Sequence, residues 1–274
     1  MGDQVERVDG KTKDLLHTSK TNLNVKRTIL FLASIAIGLL IWQGIVSIFK
    51  LPAFILPSPL QVIRRFVTAL RDGLIQRHLF ITLLEVVLGL AAGAVLATLT
   101  GYLLAKSPSA EKLVSPYLIA SQALPIVAIA PLLVIWFGPG LLSKVLICSL
   151  TVFFPILINT VVGLREVPQD LHYLMRSLRA SPAKTLWYLE VPSALPIFLG
   201  GLRVGATLSV IGAIVGELVG SDRGLGFLIN VGRGQYDTAL VFVAVITLVI
   251  MASSLYGLVI LLERRLLAWQ TWRA

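Results

Sequence analysis

Apolar residues run in six long blocks along this chain, at 28–48, 81–105, 113–136, 143–164, 194–219 and 238–262. The hydrocarbon core of a bilayer is about 30 Å thick, so a helix rising about 1.5 Å per residue needs roughly 20 apolar residues to cross it. Each block meets that length and predicts a transmembrane helix. Turn or charge signals close the blocks: Lys50 with Pro52, Lys106 with Pro108, Gly138-Pro139-Gly140, Arg165 with Pro168, Gly220 with Asp222, and Glu263-Arg264-Arg265. Only helices and closed barrels satisfy backbone polar groups in lipid. Barrel strands would be about ten residues long and would alternate in polarity, whereas these blocks are apolar on every face. The fold class is therefore an all-α membrane protein of about six transmembrane helices. Residues 1–27 form a polar cytoplasmic tail. Residues 28–80 hold the first span and an amphipathic segment, 81–265 a five-helix core, and 266–274 a second cytoplasmic tail. The first apolar block lies after 27 polar residues and is too long for a typical signal sequence, so it is expected to be retained.

Two connections carry patterns of their own. After Leu56-Pro57-Ser58-Pro59, the residues Leu60, Ile63, Val67 and Leu70 fall near helical spacing and predict a helix lying on the outer membrane surface. The stretch 165–196 is the longest connection on the cytoplasmic side. In it Leu171, Leu174, Met175 and Leu178 form one apolar stripe beside Arg176 and Arg179. Ser181 followed by Pro182 is a good N-cap and first helical residue for a second short helix. Pro192 and Pro196 are expected to delay re-entry into the membrane. The connection thus reads as helix, turn, helix. Its amphipathic helix suits either docking in the groove of a soluble partner or resting on lipid.

Composition and charge sharpen this picture. The chain is 56% hydrophobic and 14% charged, against roughly 25% charged in soluble domains. Its formal net charge of +10 follows membrane topology and implies no nucleic-acid binding, because no soluble fold remains to read a groove. With both termini cytoplasmic, fifteen Lys and Arg lie inside and eight outside, with Arg203 in the inner part of the fifth span. That bias favours this orientation. Lys50, Arg64, Arg65, Arg71 and Arg77 run against it, and Lys144 is also counted outside.

Chemistry-bearing residues are few. Cys148 is alone and apolar in context, so it forms neither a disulfide nor a zinc cage. His17, His78 and His172 sit in separate connections, and no cluster has metal-ligand spacing. Gly10-Lys11-Thr12 lacks the earlier glycine of a phosphate loop, since Val5 stands there. No reactive constellation, cofactor or metal is expected. Within the spans, Pro125 and Pro131 in the third and Pro155 in the fourth predict kinks. Glu85 and Glu217 near the outer ends are costly in lipid and are functional candidates on that ground. Gln122 and Asn159 suit hydrogen bonding between helices or the lining of a path. Gln122, Pro125, Pro131, Asn159 and Glu217 are the candidate path or gate residues. A self-sufficient secondary transporter would instead show charges near the bilayer midplane and inverted hydropathy repeats.

The 165–196 connection resembles the coupling loop of permease subunits of binding-protein-dependent ATP-binding-cassette (ABC) importers. In that family the loop runs Glu-Ala-Ala, three residues, Gly, nine residues, Ile, one residue, Leu-Pro. Here the Glu-Ala-Ala positions hold Tyr173-Leu174-Met175 and the Gly position holds Arg179. Leu189 and Val191-Pro192 keep the apolar-x-apolar-Pro ending. Leu56-Pro57-Ser58-Pro59, Phe153-Phe154-Pro155, Gly200-Gly201-Leu202-Arg203, and Gly216-Glu217 with Gly224-Leu225-Gly226 look like the branch importing sulfonates, taurine, nitrate and vitamin-related compounds. Gln122 to Pro131 with Trp136-Phe137-Gly138 looks most like permeases for riboflavin or a pyrimidine precursor of thiamine. The resemblance implies a type I importer permease in the bacterial inner membrane. It further implies a second permease copy, two cytoplasmic ABC ATPase subunits and an extracytoplasmic substrate-binding protein. The ATPases would dock on Leu171, Tyr173, Leu174, Met175, Arg176, Leu178, Arg179, Ala180 and Ser181. Hydrolysis would lie on them, and this chain would be no enzyme.

Overall fold

A computed structural model describes residues 29–30, 33–122 and 125–269. The two predicted cytoplasmic tails lie outside the described residues, apart from residues 266–269. The chain divides into two compact units, 1–64 and 65–274, with the boundary inside one helix. Every regular element among the described residues is helical.

The first unit holds α1 (Ala33–Ile48), an apolar helix shorter than the 28–48 block, and the start of α2 (Pro59–Arg71). The start of α2 is fixed locally. The Gln61 N–H donates to Ser58 Oγ (3.3 Å), and the Ser58 N–H donates to Gln61 Oε1 (2.8 Å). This reciprocal capping box, with Pro59 as first helical residue, is legible in Ser-Pro-Leu-Gln. The predicted stripe of Leu60, Ile63, Val67 and Leu70 is exposed along α2.

In the second unit, Gly73 at φ +70° turns the chain from α2 into α3 (Leu74–Lys106). The 33-residue α3 starts seven residues before the predicted block. The predicted third span is corrected to two helices, α4 (Pro108–Gln122) and α5 (Ile126–Phe137). Pro125 has ψ 115° and stands before α5, where its missing N–H costs no helical bond. It is therefore a helix start and not a mid-helix kink, while Pro131 lies inside α5. Next come α6 (Leu141–Arg165), α7 (Gln169–Ser177) and α8 (Pro182–Thr185). A π-turn, Leu186–Glu190, leads into α9 (Val191–Gly220). The expected delay at Pro192 and Pro196 is corrected as well, because Pro182–Gly220 is one continuous 39-residue helix. The π-turn absorbs Pro192. A proline removes one α-helical bond and its ring crowds the carbonyl four residues back, and here the Val191 N–H donates to Leu186 five residues back. The predicted outer loop contains a further helix, α10 (Leu225–Gly234), before α11 (Thr238–Leu266).

Helix α6 packs on both α3 and α9. Small residues permit both approaches, the usual solution where lipid leaves helices without a hydrophobic drive to associate. A Cβ on Gly93 would lie 2.7 Å from Ser149 O, and one on Gly212 2.9 Å from Cys148 Cα. Among the described residues four helices are long and apolar enough to cross a membrane (α3, α6, Pro182–Gly220 and α11), with Ala33–Ile48 and Ile126–Phe137 as shorter apolar helices.

Candidate functional site

Two polar regions interrupt the apolar framework, one at each end of α9. The first is the connection between α6 and α9. Helix α7 has Pro168 before it and ends in a two-bond reversal. The Ala180 N–H donates to Met175 O (3.0 Å), and the Arg179 N–H to Arg176 O (2.9 Å). This pair of bonds is a Schellman motif, whose C′ residue sits in the left-handed region favoured by glycine. Here that residue is Arg179, at φ +52°. Ser181 then accepts from the Lys184 N–H (3.4 Å), with Pro182 as first helical residue. The helix, turn and second helix are all present, and the second runs on into α9.

The apolar stripe of α7 is largely uncovered within the described residues. Leu171 is 39% exposed, Leu174 52% and Leu178 68%, and no residue of α7 is buried. Tyr173, Arg176, Arg179 and Ser181 are also exposed, while Met175 and Ala180 are half-buried. Beneath α7 lies Glu190, whose side chain is 3% exposed. Lys106 Nζ, at the end of α3, donates to Glu190 Oε1 (2.5 Å), and His172 Nδ1 of α7 is 3.9 Å from the same oxygen. One carboxylate thus lies against α3, α7 and the π-turn together. Arg165 pairs with Glu111, tying the end of α6 to α4.

The second region surrounds Glu217, which is fully buried. Thr82 Oγ1 donates to Glu217 Oε1 (2.6 Å), and the Gly226 N–H donates to Glu217 Oε2 (2.5 Å). The Leu225 N–H donates to Thr82 Oγ1 (2.8 Å), and the Gly224 N–H to His78 Nδ1 (3.0 Å). The first amides of α10 have no partners in their own helix. Side chains of α3 and α9 cap them instead, with a carboxyl at the positive helix end. Gly224 is at φ +101°, and a Cβ there would lie 2.0 Å from Glu217 Oε1. Glu85 is buried as well. Lys144 is corrected from an outer-surface charge to a buried one, 1% exposed. Its ammonium donates to Pro139 O and to Gly220 O (2.5 Å). It thereby caps the carboxyl end of α9, where a cation is favoured.

The other predicted residues lie apart from these regions. Asn159 Nδ2 donates to Pro155 O (2.8 Å), and its Cβ lies where a side chain on Gly201 would stand. Arg203 pairs with Glu263 and approaches the Tyr256 ring (5.8 Å). Gln122 ends α4, and its side chain lies outside the described residues. Sequence reasoning missed Thr82, Lys106, His172, Glu190 and Gly224 as site residues. Glu190 and Lys144 carried the readable signal, a charge within or beside a long apolar run. No group of His, Cys, Asp and Glu suited to a metal occurs among the described residues.

Comparison with known proteins places this geometry. Residues 80–268 match the family described as the binding-protein-dependent transport system inner membrane component. The chain is 43% identical over 266 residues to the riboflavin transport system permease protein RibX of Chloroflexus aurantiacus, covering 97% of each chain. It is 36% identical over 232 residues to the formylaminopyrimidine transport permease protein ThiX of Halalkalibacterium halodurans, covering 85% of this chain and 92% of that one. Among solved structures, a chain of the inward-facing MetNI methionine ABC transporter superposes with a TM-score of 0.62 at 19% identity. That likeness, which is one of fold, covers 72% of this chain and 97% of that one.

Proposed function

Since the chain belongs to the family of binding-protein-dependent transport system inner membrane components, we propose that it couples ATP hydrolysis on separate ATPase subunits to import of riboflavin or a related heteroaromatic vitamin precursor. The observation that carries the coupling is α7. It presents Leu171, Leu174 and Leu178 uncovered, beside Arg176 and Arg179. An amphipathic helix of this kind fits an apolar groove on a soluble partner. Tyr173, Met175, Ala180 and Ser181 complete that surface or shape its turn. The substrate class rests on the riboflavin permease relative, similar over nearly the full length of both chains.

In this reading the α7 end faces the cytoplasm and the α10 end faces the outside, where a substrate-binding protein delivers its cargo. The path runs between this chain and a second permease copy, with Gln122, Pro125 and Pro131 on its wall at the α4–α5 break. Asn159 and Glu217 hold the helices behind that wall. Closure of the ATPases around ATP displaces α7. The displacement passes through Glu190 and the π-turn into the continuous Pro182–Gly220 helix.

The test is affinity purification of the tagged full chain from detergent-solubilised membranes, followed by ATPase assay and vitamin uptake in liposomes. A stoichiometric ATPase is expected with the native chain. It should be lost on deleting 171–180 or on reversing the charge of Arg176 or Arg179, with membrane insertion intact. A chain that purifies alone and transports without ATP would overturn the reading in favour of a secondary transporter.

A further inference from the structure

Two cavities adjoin at the α7 end of the second unit. One, of about 440 Å³, is lined by Lys106, Gln169, His172, Tyr173, Arg176 and Glu190, with Ala105 and Leu164. The other, of about 520 Å³, is walled by Leu99, Tyr102, Leu164, Trp187, Leu195 and Phe198 among others and exposes no polar surface. Leu164 lines both. Tyr102 of the apolar cavity lies under the Lys106 ammonium of the polar one, 5.4 Å from ring centroid to Nζ.

The polar cavity has more cationic capacity than acid. Its one carboxylate, Glu190, is matched by Lys106. Arg176 lines the cavity and makes no ion pair among the described residues, and His172 supplies a further ring nitrogen. The polar cavity therefore complements an anion. The apolar cavity begins where α3 ends its membrane-spanning run at Lys106, and the exposed Trp187 stands at its edge. Basic residues with aromatic neighbours at such a boundary match headgroup depth. A free anion would use only the polar half, and an apolar peptide face only the other. A ligand with an anionic head and a hydrocarbon tail uses both.

We propose that these adjoining cavities form one site for an anionic phospholipid, its phosphate held by Lys106, His172 and Arg176 and one acyl chain lying along Leu99, Leu164 and Phe198. The lipid seats under α7 and against the π-turn, so it fills the space between the connection and the spanning helices.

The test is native mass spectrometry of the full chain with its co-purifying subunits, titrated with dioctanoyl phosphatidylglycerol, dioctanoyl phosphatidylcholine and inorganic phosphate. One phosphatidylglycerol should bind per chain, with the other two at least tenfold weaker. Arg176→Gln removes a charged contact, and Thr98→Phe fills the apolar half, whose wall Thr98 shares; each should weaken binding about tenfold. Arg176→Lys should retain most of it. Should Arg176→Gln fail to fold or lose its co-purifying subunits, Thr98→Phe carries the test alone. Inorganic phosphate binding as tightly as the lipid would overturn the proposal, as would phosphatidylglycerol binding unchanged in both variants. The readout is lipid binding, so failure here leaves the transport reading untouched.

Discussion

At the scale of single residues, the chain places ordinary side chains where the backbone asks for something special. Arg179 occupies the left-handed C′ position of α7, in the very place where the resembling family carries glycine. A residue with a Cβ costs about 1 kcal/mol there. Arg179→Gly should therefore stabilise the turn by about that amount and raise the melting temperature in detergent, whereas Arg179→Val should lower it. A loss of stability in the glycine variant would mean that the Arg179 side chain, and not its backbone, secures the turn. Glu217 poses the opposite case. Removing its carboxyl in Glu217→Ala leaves the buried Gly226 amide without an acceptor, at a cost of about 2 kcal/mol. Glu217→Gln keeps an acceptor oxygen and should lose less than half as much. Equal losses in thermal unfolding would count against a capping role.

At the scale of helices, close approach governs the α3–α6–α9 packing. Backbone stands close opposite both Gly93 and Gly212: a Cβ on Gly93 would meet Val152 Cγ2 at 2.4 Å and Ser149 O at 2.7 Å, and one on Gly212 would meet Cys148 Cα first. Gly212→Val should push α9 from α6 and cost about 3 kcal/mol, read as an unfolding shift. Gly200→Val is the matched control, since nothing lies within 4 Å of its added Cβ. Comparable shifts in both would remove close packing as the reason. The same scale explains where expectation and structure parted. A hydropathy block records that a segment is apolar, not that it is one helix, so 113–136 read as a single span although Pro125 divides it. Pro192 and Pro196 read as breaks, yet a π-turn carries the helix through. Proline chemistry marks the place of a disturbance, and the neighbours decide between a break and a bulge.

At the scale of the whole molecule, the proposed orientation sets which end is accessible. A cysteine at Asp222, beside α10, should react in intact cells with a maleimide that cannot cross the membrane. A cysteine at Ser177, the last residue of α7, should react only after the membrane is opened. The reverse pattern would invert the orientation and detach α7 from any cytoplasmic ATPase. The Lys and Arg bias argued for this arrangement from sequence, and the burial of Lys144 removes one of the charges counted against it.

What the sequence determined by itself is what depends on local spacing and on solvent. Long apolar blocks require helices in lipid, Ser58 with Gln61 writes a cap, and Ser181-Pro182 begins a helix after the α7 turn. These follow from groups within four residues of each other, or from the bulk preference of apolar side chains. Only the tertiary structure decided which distant groups meet. It carried His78, Thr82 and Glu217 to the first amides of α10, Lys144 to the end of α9, and Glu190 between Lys106 and His172. Hydrophobicity along a chain does not encode such meetings. A buried polar atom takes whichever partner the packed helices bring within reach, and that choice depends on helix rotation and register, which here follow from the small residues along α3, α6 and α9.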